Sequence, residues 1–134
     1  MGTVTRLFVA VSMISSGSLS SAQPTGNVIK ATVPIVCRAA PTGEASQEGS
    51  SYSLGRLVEY CNAPKGFQVD AVYPPGELRS AKLQIGDREI VLSGTGEDEV
   101  MRDNKPSIST FKITVTPKAG VISSSMIGFR AIQL

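Results

Sequence analysis

Ala81-Lys82-Leu83-Gln84-Ile85-Gly86-Asp87-Arg88-Glu89-Ile90-Val91-Leu92 is the stretch whose reading decides the fold class. Ala81, Leu83 and Ile85 alternate with polar residues, which is the period of a strand with one buried face. Gly86-Asp87 interrupts the run, and a second β-rich run follows at once. Two such runs split by a Gly-Asp pair predict a tight β-hairpin.

The same period of two recurs on either side. Upstream, Phe67, Val69, Ala71 and Tyr73 share one face of Phe67–Tyr73, which ends at Pro74-Pro75-Gly76. Ser53–Cys61 reads as a second strand or a short helical turn, with Gly55 marking a bulge or a close backbone approach. Val28–Cys37 is β-branched and reads as a first strand. Pro34 cannot donate to a central ladder, so that strand belongs at a sheet edge. Downstream, Phe111, Ile113 and Val115 line one side of Ile108–Thr116. Ile127, Phe129 and Ala131 do the same in Met126–Leu134. Residues 39–51 and 94–105 read as polar loops. No segment holds a 3.6-residue apolar period over three turns. About seven strands with turns between them predict an all-β antiparallel sandwich.

Residues 1–22 read as a secretory signal peptide. Arg6 supplies the positive start, Leu7–Ile14 the apolar segment, and Ser20-Ser21-Ala22 the small residues before cleavage at Gln23. The apolar segment is too short to span a membrane, and no other segment of the chain is long and apolar enough. Residues 23–134 then form a single β-sandwich domain behind a short leader, Gln23–Asn27. Export to the periplasm, the cell surface or the medium gives Cys37 and Cys61 their meaning. Two thiols in an oxidising compartment pair by default, so a structural disulfide is expected. A metal pair would need further ligands, and the chain has no histidine to supply them.

The composition excludes several functions. Without histidine, the commonest general base is missing and a Ser-His-Asp or Cys-His site cannot be built. The lysines sit singly among polar neighbours and read as surface. Glu97, Asp98 and Glu99, with Asp103, form the densest acid group. They read as a solvated loop rather than a two-carboxylate site, and they lack the residue order of a calcium loop. The net charge of +2 comes with no basic run, so nucleic acid is not an expected partner. No catalytic residue, cofactor site or metal site is expected, and the chain does not read as an enzyme. Tyr52, Tyr60, Tyr73, Phe67, Phe111 and Phe129 read as core residues.

Cys61, Gly66, Phe67, Val69, Ala71 and Gly76 resemble the segment after the second cysteine in spore coat protein U-like domains, which belong with the chaperone–usher pilin-like surface proteins. Cys37 and Cys61 sit where that family's cysteines sit, and the match runs over residues 28–76. The resemblance implies an immunoglobulin-like sandwich missing one strand, which a neighbouring subunit supplies. It implies other pilin-like subunits or further copies of this chain as partners, with a periplasmic chaperone. The expected function is an exported structural or adhesive subunit acting by β-strand addition. Val28, Ala31, Val33 and Ile35 are the candidate strand-exchange residues, because they lie along a β-rich arm behind a leader; the alternative is that this strand closes its own domain, as sheet edges are usually managed within the chain. The alternative is a monomeric periplasmic or extracellular binding module for a sugar, peptide or protein, using residues 39–51 and 93–106.

Overall fold

The computed structural model describes residues 29–120, 122–123 and 126–134; the proposed signal peptide, the leader and Val28 lie outside the described residues. The fold is that of residues 33–134, and it is built from strands. Among the described residues there are nine: β1 (Cys37–Thr42), β2 (Ser46–Glu48), β3 (Ser51–Cys61), β4 (Phe67–Val72), β5 (Lys82–Ile85), β6 (Arg88–Val91), β7 (Glu97–Asp103), β8 (Ser107–Thr116) and β9 (Gly128–Gln133). They form two antiparallel sheets. The larger has the order β1-β3-β8-β5-β6, with β2 also on β3; the smaller has the order β7-β4-β9.

The alternating segments fold as their period demands. Phe67, Val69, Ala71 and Tyr73 are all buried, as are Ala81, Leu83, Ile85, Ile113 and Val115. They meet in one core between the sheets. The hairpin at Gly86-Asp87 pairs Ile85 with Arg88 and Leu83 with Ile90. Phe67 is fully buried and Tyr73 nearly so, whereas Tyr60 faces solvent and Tyr52, Phe111 and Phe129 are half-buried.

Two glycines carry backbone conformations that the ladder depends on. At Gly55 the β3–β8 register slips between Ser53 and Arg56. Its φ is 82°, and a Cβ there would lie 2.2 Å from the Thr42 carbonyl oxygen. The bulge lets β3 pair with β1 on one stretch and with β2 on the next. Gly66 has φ 91°, and a Cβ would lie 2.0 Å from the Asp103 carbonyl oxygen. Only glycine lets the chain enter β4 so close to the end of β7.

Three expectations are corrected. Residues 29–36 contain no strand; the first strand starts at Cys37 and runs into the stretch read as a loop. The reason is the partner. The Cys37↔Cys61 pair sets the register, and past Cys61 the chain turns away through Asn62-Ala63-Pro64, so no described strand lies opposite residues 29–35. Part of 39–51 likewise becomes β2, and Pro41 is tolerated because β1 is an edge. Finally, Glu97–Asp103 is a strand on β4 rather than a loop. A bulge in β7 leaves Val100 without a partner between the pairs Met101↔Val69 and Glu99↔Asp70 and breaks its alternation, so that Val100 and Met101 are both buried although adjacent. The acids are not a shared solvated cluster. Glu97 pairs with Arg130, Asp98 accepts from Tyr73 Oη and the Ser93 amide, and Glu99 binds Arg102. Arg102 holds the Glu99 carboxyl below its usual range by donating hydrogen bonds to it.

Candidate functional site

The cysteines lie directly opposite each other on β1 and β3, bonded, with Cα atoms 4.1 Å apart. The bond fixes the point at which the preceding segment leaves the fold. Asn62 then holds its root. The Asn62 side-chain Oδ1 accepts from the Val36 amide at 2.6 Å, and its Nδ2 donates to the Pro34 carbonyl at 2.9 Å. The Asn62 amide donates to the Val36 carbonyl at 3.2 Å. A side chain able to donate and accept at once thus binds both Pro34, whose backbone can only accept, and the amide of Val36 two residues on. The sequence reading did not single out Asn62; its place just after a strand-ending cysteine was the available signal.

Among the strand-exchange candidates, Ala31 and Val33 are exposed and Ile35 is about half exposed. Ile29 is 90% and Val33 74% exposed. Apolar residues in water at such levels cost free energy roughly in proportion to their area, about 25 cal/mol per Å².

On the core, β1 and β9 are the edge strands of different sheets, and they lie on the same side of the sandwich. The two strands run close to each other, and a shallow groove of about 540 Å³ lies along them, lined by Cys37–Ala40 and Phe129–Ala131. Cys37, Ala39, Phe129 and Ala131 pack against the core but are only half-buried. Their neighbours one strand inward, Glu59 and Cys61 on β3 and Val69 and Ala71 on β4, are essentially fully covered. The core behind the seam is covered, and the half-exposed apolar side chains belong to the two edge strands themselves. Each flanking strand also has one row of backbone groups with no strand partner among the described residues.

The chain matches no family model, no curated protein and no solved structure. The function must be read from the geometry.

A second feature lies at the other edge. Glu59 on β3 is 1% exposed, and its Oε2 has no hydrogen-bond partner. Leu57, Glu59 and Cys61 alternate, so the period of two already turned Glu59 inward; the acid type hid it. Burial raises its carboxyl above the ordinary value of 4.5, and Asp103 adds to this, while a hydrogen bond from Ser109 and the charge of Arg88 oppose it. The ionisable groups around it are Asp103 and Arg102 on β7, Asp87 in the hairpin and Arg88 on β6. Ser109-Thr110-Phe111-Lys112 makes no Ser–Lys dyad. Residues three apart on a strand face opposite ways, and Lys112 lies outside beside Glu48.

The raised carboxyl has a consequence for stability. Between its unfolded and folded titration points, the native state keeps a proton that the unfolded chain has lost. Stability then falls as pH rises from about 4.5 through the folded value. Glu59→Gln keeps the shape and removes the buried charge. It should be more stable than the parent at neutral pH by on the order of 1 kcal/mol, with the gap closing in acid. Urea midpoints of both proteins across pH check this, and parallel curves would refute it.

Proposed function

We propose that this chain is an exported, pilin-like structural or adhesive subunit that assembles by accepting a strand from another copy. The observation that carries the reading is the seam between β1 and β9. Two edge strands without an outer strand partner among the described residues run along a groove lined by Cys37, Ala39, Phe129 and Ala131 together with Arg38 and Arg130, and the apolar side chains facing it are half-exposed. An inserted strand would hydrogen-bond along β9 and drop alternate side chains onto Phe129, Ala131, Cys37 and Ala39. The sheet order fits an immunoglobulin-like sandwich lacking one strand at that position.

The donor is the segment before β1. Ile29, Ala31, Val33 and Ile35 recur every second residue and are exposed along it. Pro34 falls between them, on the side of the added strand away from the core, and removes one main-chain donor from that strand. Six residues of β9 span about 20 Å, and the arm is long enough to match that length. The signal-like start of the chain and the disulfide support export, where the groove would meet its partners and a periplasmic chaperone could cover it meanwhile.

The test is the size of residues 23–134 in solution. The parent should self-associate, and removal of residues 26–36 should leave a monomer. A peptide of residues 28–36 added to the shortened protein should bind and raise its unfolding temperature, since a ligand of the native state stabilises by mass action. Oligomers that persist without residues 26–36 would end the proposal.

A further inference from the structure

The cleft beside Glu59 shares no residue with the β1–β9 seam. It has a volume of about 270 Å³ and opens between β3, β8 and the β5–β6 hairpin on one side and β7 on the other. Its lining includes Glu59, Asp103 and Ser109, with Met101, Ile85 and Phe111 as its apolar part.

Glu59 is the reason to assign it a ligand. A buried carboxylate oxygen without a donor is costly, and native proteins rarely leave one. Ser107 Oγ, one position along the same inner face from Ser109, is also buried and unpartnered. The lining carries three carboxylates and two guanidinium groups. Of the latter, Arg102 is already committed to Glu99 and Gln68, which leaves Arg88 against three acids. The cleft is therefore short of donors and of positive charge.

We propose that this cleft binds a primary ammonium group on a short alkyl chain, carried by a free amine or by a lysine side chain. An ammonium is compact and brings three donors, which suits Glu59, Asp103 and a hydroxyl in a narrow cleft. A carboxylate or phosphate would meet these acids and is disfavoured. A divalent metal lacks ligands, since no group of three acids or thiols among the described residues is placed to hold one. The alkyl part would lie against Met101, Ile85 and Phe111, which gives the cleft a preference for an amine over a bare ammonium ion.

The experiment is an amide NMR titration of residues 23–134 at neutral pH. The probes are n-butylammonium chloride, butan-1-ol as the neutral analogue, ammonium chloride, and a short peptide with one lysine flanked by glycines. Saturable shifts at millimolar n-butylammonium should centre on Glu59, Met101, Asp103, Ser109 and Phe111, and butan-1-ol should produce none. Glu59→Gln should weaken binding about tenfold or more, as loss of a hydrogen bond to a charged group predicts. Binding of the peptide but not the free amine would support the site and identify its source as a protein side chain. No saturable shift with either amine or peptide, or equal shifts with butan-1-ol or in Glu59→Gln, would overturn the proposal and leave the cleft as a water-filled one. The parent titration alone decides this even if the variant folds poorly.

Discussion

Replacing Cys37 and Cys61 together by serine should lower the unfolding free energy by about 3.5 kcal/mol, on the chain-entropy estimate for a closed loop of this size. The double change avoids leaving a lone thiol that could pair between chains. Most of the effect acts through the unfolded state, which regains the freedom that the crosslink removes. A second effect is local. β1 is an edge strand whose residues after Ala39 are all exposed, so little burial holds it to β3. Without the bond, the β1 amides should lose hydrogen-exchange protection before the rest of the larger sheet. Loss of β1 also removes one wall of the β1–β9 seam, so self-association should weaken under reductant. Urea denaturation with and without reductant, followed by exchange on β1, tests both effects. Equal midpoints for the oxidised and reduced protein would show that the crosslink constrains nothing.

The parts of the fold visible in the sequence were those with one uninterrupted buried face. Phe67–Tyr73, Ala81–Leu92 and Ile108–Thr116 each pack one row of apolar side chains inward, and nothing else in the chain competes for that row. The parts that were hidden owe their structure to a partner. Arg38-Ala39-Ala40-Pro41-Thr42 has no apolar period; it is a strand because Cys37 is bonded opposite Cys61 and the ladder continues from there. Val28–Val36 has strong β-propensity, yet residues 29–36 contain no strand, and no described strand pairs with residues 33–36. β7 was masked by its acids and by its own bulge at Val100, which puts two buried residues side by side.

The site was legible to the same extent. The cysteine pair and the apolar arm could be named from residue type and spacing. The groove could not, because it is a relation between β1 and β9, which are far apart in the sequence and lie in different sheets. Glu59 stood in plain alternation between Leu57 and Cys61. A rule that acids are exposed hid it, and that rule fails where the inner face of the paired strand also carries hydroxyls such as Ser107 and Ser109.

Phe67→Ala should cost about 3–5 kcal/mol, the range for removing a fully buried aromatic. Phe67 is the largest fully buried side chain, and it opens the central strand of the three-stranded sheet. Its backbone pairs with Asp103 on β7 and Gln133 on β9. A void there cannot collapse easily. Gly66 is already packed against the Asp103 carbonyl, so β4 has little room to shift toward β7. The cost should therefore fall in the upper part of the range, because relaxation is what makes a cavity cheap. Phe67→Leu refills most of the volume and should cost less than half as much. The loss also bears on assembly, since β9 rests on β4 along its whole length and supplies the edge that an added strand would use. With residues 26–36 removed, a Phe67→Ala protein that still folds should bind the peptide of residues 28–36 more weakly than its unsubstituted counterpart. Urea unfolding of the two variants orders the costs. Equal destabilisation by alanine and leucine would mean that the site repacks freely, and that the close fit around Gly66 does not hold β4 in place.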